Sequence, residues 1–137
     1  MGFEVFLQCF GASEQSGISR AAVRSLFPIV EAESKPDYWR VRFDDLNTCH
    51  ISVKPLPSDR AMLKSLCVER PCGDLRFWQS LLAILRMGSV VIFWPGGPPI
   101  VANDTLAANL PEGMASAMGP ARTVASAEQL LRLVQDS

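Results

Sequence analysis

Two alternating runs joined by a polar turn constrain this chain more than any other feature. From Tyr38 to Phe43, the side chains of Trp39, Val41 and Phe43 fall on one side, and those of Tyr38, Arg40 and Arg42 on the other. A period of two is that of a strand with one face buried. After the turn Asp44-Asp45-Leu46-Asn47 the pattern resumes, with Cys49, Ile51 and Val53 set against Thr48, His50, Ser52 and Lys54. The two runs predict an antiparallel hairpin with one apolar and one polar face. The rest of the chain must then supply a layer that covers the apolar face.

That layer is readable in part. Asp74 caps a predicted helix through Met87 in which Leu75, Phe77, Trp78, Leu81, Leu82, Ile84 and Leu85 fill about half of the wheel. Ser19 caps an earlier helix, with Ile18 and Val23 at the positions of a hydrophobic staple and Pro28 as its stop. A last helix begins at Ser126, with Gln129 completing a capping box and Leu130, Leu131, Leu133 and Val134 on its apolar side. Between them, Glu4 to Phe10 is apolar on both faces and predicts a central strand ending at Gly11. Leu63 to Arg70 predicts a strand of poor alternation, in a region bounded by Pro55, Pro57 and Pro71. Val90 to Trp94 predicts a buried strand stopped by the turn Pro95-Gly96-Gly97-Pro98-Pro99, with a short extended piece at Ile100-Val101-Ala102. From Asn103 to Thr123 no period stands out. The expectation is one α+β domain over residues 1–137, with a mixed or mainly antiparallel sheet of about five strands and helices packed on one face.

Composition agrees with a self-sufficient core. A domain of 137 residues buries about two thirds of the surface its unfolded chain exposes. Apolar residues make up 48% and charged residues 20%, which excludes the signature of disorder. Thirteen basic residues, only three of them Lys, stand against fourteen acidic ones without a run of like charges, so nucleic acid is not an expected partner. The apolar stretch from Leu81 to Trp94 is broken by Arg86 and Gly88 and is too short to span a membrane. The opening Met1-Gly2-Phe3-Glu4-Val5 has neither a basic n-region nor an apolar h-region, so a cytoplasmic protein is expected. In that compartment Cys9, Cys49, Cys67 and Cys72 are expected to stay thiols.

Each pattern that could carry chemistry has a simpler reading. Cys49, His50, Cys67 and Cys72 supply four potential zinc ligands, but Cys49 and His50 are neighbours on a strand and leave opposite faces. The same geometry separates the single histidine from the Cys49 thiol that it would have to activate. Pro95 to Pro99 matches no phosphate-binding pattern, and proline lacks the amide that binds an anion. Asp44 and Asp45 are explained by the turn they form. The sequence therefore predicts no catalytic residue, no cofactor and no metal. An alternative remains open, a small ligand-binding domain or enzyme with a pocket between helix 74–87 and the sheet, and so does a homodimer.

What remains is surface. Tyr38, Arg40, Arg42, Thr48, His50 and Ser52, with Asp44 at their end, form one patch on the outer face of the hairpin if the register holds. Tyr and Arg are enriched at protein interfaces, so these seven residues are the candidate partner-binding set.

Three segments carry a resemblance. The opening Phe3-Glu4-Val5-Phe6-Leu7-Gln8-Cys9-Phe10, the segment Val68-Glu69-Arg70-Pro71 leading into Asp74-Leu75-Arg76-Phe77-Trp78, and the closing helix from Val124 to Leu133 resemble small cytosolic bacterial immunity-type proteins. Such proteins are paired with toxins of polymorphic or type VI secretion systems. The resemblance implies a binding protein, not an enzyme, that neutralises a cognate toxin domain by occluding its active site. Its motifs are structural and assign a role to no residue. With a net charge of −1, such an interface would depend on shape and aromatic anchors.

Overall fold

The computed structural model describes residues 3–11 and 16–137, so the reading of Met1 and Gly2 lies outside the described residues. In chain order come the strands Val5–Cys9 (β1) and Ile18–Ser19 (β2), the helix Arg20–Arg24 (α1), a 3-10 turn at Glu31–Glu33, and the strands Tyr38–Asp44 (β3), Asn47–Leu56 (β4) and Asp59–Glu69 (β5). The helix Leu75–Leu85 (α2) is followed by Val90–Phe93 (β6) and Ile100–Val101 (β7). The chain ends with the short helices Asp104–Ala108 (α3) and Met114–Met118 (α4), the strand Arg122–Thr123 (β8) and the helix Ala127–Gln135 (α5).

The class is α+β and the sheet is mixed, but among the described residues it has eight strands rather than about five, in the order β3-β4-β5-β1-β6-β7-β8 with β2 beside β5. The additional strands β2, β7 and β8 are two-residue pieces, too short to display a period of two. β7 and β8 run parallel, and the other pairings are antiparallel. β1 lies between β5 and β6, the central place that its apolar faces require.

The hairpin forms as the alternation dictates, with Tyr38 opposite Ser52, Arg40 opposite His50 and Arg42 opposite Thr48. Asp44 closes the turn, since its Oδ1 accepts from the amides of Leu46 and Asn47 at 3.0 Å each. The other edge of β3 is covered by the chain at residues 28–30, through bonds from the Arg42 amide to the Pro28 carbonyl and from the Val30 amide to the Arg40 carbonyl. That protection keeps the strand from pairing with a second molecule. β5 alternates poorly for a structural reason. The register slips between the pairs Lys54–Ser65 and Pro55–Leu63, and this bulge turns both Leu63 and Leu66 toward the core, at 0% and 3% exposure.

One face of the sheet meets α2 and α5, which pack side by side. Asp74 caps α2 by accepting from the Arg76 amide at 2.9 Å. The buried hydroxyl of Ser80 donates to the Leu26 carbonyl at 2.9 Å, which ties α2 to the end of the α1 segment. At α5 the Ser126 Oγ accepts from the Gln129 amide, while Gln129 Oε1 accepts from the Ala125 amide. The reciprocal box expected from sequence forms with its return bond displaced by one residue. Trp39, Trp78 and Trp94 are all buried here. Trp94 lies so close over Gly97 that a Cβ there would come within 2.1 Å of its ring. Pro95 and Gly96, the latter at φ +86°, make the tight turn that allows this approach.

The helices are not confined to one face. Phe10, Val91 and Val101 form a second, smaller core with Leu106, Leu110 and Met114. Val91 alternates with Val90 and Ile92, which belong to the main core, so α3 and α4 cover the opposite face at the β6–β7 end. Sequence missed them because each has five residues, less than two turns, and offers no repeated stripe. Among the described residues, no helix is long and apolar enough to cross a membrane.

Candidate functional site

The outer face of the sheet is built in rows by the strand register. Arg40 pairs with His50, and His50 with Glu69, across β3, β4 and β5. The neighbouring row runs through Tyr38, Ser52, Cys67, Phe6 and Phe93, from β3 to β6. Side chains directly opposite or diagonal in such rows are close enough to bond, and here they do. The Tyr38 ring stacks on the His50 ring, with centroids 5.0 Å apart and planes 15° from parallel. The Tyr38 hydroxyl donates to Glu69 Oε2 at 3.1 Å. Arg40 Nη1 lies 3.3 Å from His50 Nε2. Burial, and then the bond to Glu69, hold the Tyr38 phenol above its ordinary pKa.

Four of the seven candidate residues, Tyr38, Arg40, His50 and Ser52, fall in these two rows, and Thr48 lies in the next row opposite Arg42; all five are half-buried. Arg42 is exposed at the margin and ion-paired with Asp45. Asp44 goes elsewhere. The register shift between Arg42 and Asp44 takes it to the hairpin end, where Arg76 of α2 reaches it at 3.3 Å while lying over the Phe43 ring. Hydrogen bonds from Asn47 in particular lower the pKa of the Asp44 carboxylate.

The face also includes residues that sequence reading did not single out. Glu69, Cys67, Phe6 and Phe93 extend the patch across the sheet, with Phe6 and Phe93 stacked at 5.2 Å. Neither their facing nor their adjacency to the hairpin was legible in strands that are apolar on both faces or alternate poorly; both depend on register. Between them and the hairpin lies a cleft of about 230 Å³ bordered by Ser52, Lys54, Cys67, Phe6 and Phe93. A second cleft, of about 460 Å³, continues from Phe6 and Phe93 to the Trp94–Gly97 turn and to Met118 of α4. The face is therefore polar and flat at the hairpin and apolar and indented toward α4.

Cys49 lies on the opposite side of β4 from His50, 4% exposed. Among the described residues, no group of three or more His, Cys, Asp or Glu side chains could hold a metal ion. Between α2 and the sheet, Phe77, Trp78, Leu81, Ile84 and Leu85 are each 0% exposed and occupy the space that the alternative reading assigned to a pocket. Comparisons with family models, with curated proteins and with solved structures found no match to this chain.

Proposed function

We propose that this chain is a binding protein that neutralises a cognate bacterial toxin domain by covering its active site with the outer face of the β3–β4 hairpin. One observation carries the reading: Tyr38, Arg40, His50 and Glu69 are linked to one another across three strands on a part of the face that no helix among the described residues covers. Side chains already held in place lose less freedom on association, so more of the contact energy appears as affinity. Tyr and Arg are also the residue types that most often dominate such interfaces. The same contacts speak against acid–base work by His50, since its Nε2 is engaged by Arg40 and its ring by Tyr38. The toxin as partner follows from the family resemblance alone, and a cytoplasmic site of action from that resemblance and from the opening residues.

The test is to identify the product of the neighbouring gene, which this reading expects to carry a toxin domain, and to measure binding to that domain. Tyr38→Ala and Arg42→Ala are each expected to weaken the complex by at least about 2 kcal/mol, or about 30-fold in Kd, if either is a hot spot. Circular dichroism should show both variants folded. Affinity unchanged in both would remove this face from the interface.

A further inference from the structure

Beyond the hairpin the outer face changes from polar to apolar along one line. Lys54, Ser65 and Gln8 form a row across β4, β5 and β1, beside the row of Ser52, Cys67, Phe6 and Phe93. Lys54 is exposed, and it takes part in none of the ion pairs among the described residues. The hydroxyl-bearing Ser52 and Ser65 border the same cleft as Lys54. Three strand spacings, about 14 Å, separate β4 from β6. At the far end Phe6 and Phe93 stack at 5.2 Å and stay half-buried, and the groove runs on past the Trp94–Gly97 turn to Ala117 and Met118.

A groove with a cation at one end and aromatic rings along its floor selects an amphiphile. Half-covered rings gain from an apolar chain laid over them, while a few polar groups fix the direction in which it lies. The two clefts, about 230 and 460 Å³, share Phe6 and Phe93 and together fall in the size range of small-molecule sites. The acidic groups of this face keep off the track. Glu69 lies opposite His50, and Glu4, one residue before the Val5–Val68 pair, accepts from Cys67 Sγ at 3.5 Å. Both stand on the side of the Phe6 row away from Lys54, so an anionic head is favoured at Lys54 and disfavoured at the other margin.

We infer that this groove binds a free medium-chain carboxylate, with its head on Lys54 and its alkyl chain across Phe6 and Phe93 toward Met118. The inference does not depend on the toxin reading, which rests on the linked cluster around His50.

The experiment titrates the full chain with octanoate, decanoate and dodecanoate, each below its micelle concentration, by isothermal titration calorimetry. Kd is expected to fall about fourfold for each added CH₂. Lys54→Ala removes an exposed side chain and should fold as the wild type does. It is expected to weaken decanoate about fivefold and to leave decan-1-ol, which has no charge, unchanged. Amide resonances of the wild type, followed by NMR, should shift with decanoate at residues 52–54, 65–67 and 93–97, which locates the site without a variant in the sheet. Absence of saturable binding, a Kd independent of chain length, an equal loss of decanoate and decan-1-ol in Lys54→Ala, or shifts confined to other residues would overturn the assignment.

Discussion

The two faces of this sheet are made by the same strands and have different fates. Toward α2 and α5, residues from β1 and from β3 to β6 join one continuous core that includes all three tryptophans. On the other side, the strands carry Tyr38, His50, Ser52 and Glu69 at one end and a small apolar cluster under α3 and α4 at the other. Alternation decides which side each residue faces. What covers that side depends on segments far away in the chain, and among the described residues no helix covers the hairpin end of the outer face. The inner face thus serves stability, and the proposed recognition falls to the outer face.

Substitutions on each side should separate these roles. The largest effect is expected at the centre of the inner face, where Phe77 touches the rings of Phe27, Phe43 and Trp78. Phe77→Ala should cost about 3–5 kcal/mol in denaturant unfolding, as a buried aromatic deletion does. In the satellite core, Val101→Ala should cost about 2 kcal/mol and should release amide-exchange protection in residues 104–118 before the rest of the chain. A loss equal to that of Phe77→Ala, with uniform exchange, would mean that the two faces unfold as one and that the contrast between them is false.

The smallest effect lies at the margin, where Asp37 accepts from Arg60 at 2.9 Å and pairs with Arg20 at 3.0 Å. The bonds from Arg60 and then Arg20 hold its carboxyl below the ordinary value. A depressed carboxylate pKa contributes stability that is full above the unfolded value, about pH 4, and is lost as pH falls through the folded one. Because Asp37 is 41% exposed, solvent screening keeps the contribution under about 1 kcal/mol. Asp37→Asn should therefore flatten the acid side of the stability–pH curve and leave stability near neutral pH lower by that small amount. An unchanged acid limb would show that this ion pair is mere surface decoration.

Legibility followed the length of the repeating pattern. β3 and β4 could be read residue by residue because alternation persists across both, and α2 because its apolar residues cover half of a helix wheel through three turns. The caps at Ser19, Asp74 and Ser126 were readable because each places an acceptor ahead of a helical stripe. β5 was blurred by its bulge, and α3, α4 and β8 were invisible because five residues or two give too few repeats. Of the candidate site, the hairpin contribution was legible. Glu69, Cys67, Phe6 and Phe93 were not, since adjacency between strands is a matter of register across sequence separations that no local pattern records.

The order of side chains along the chain was enough to determine that strands and helices would share one core, and which side of the hairpin would face it, because burial of apolar surface acts on local periodicity. Tertiary structure alone decided the strand order, the second core on the far face and the linked cluster around His50. Each of these needs residues distant in sequence to be brought together, and only the packing of the whole chain specifies those meetings.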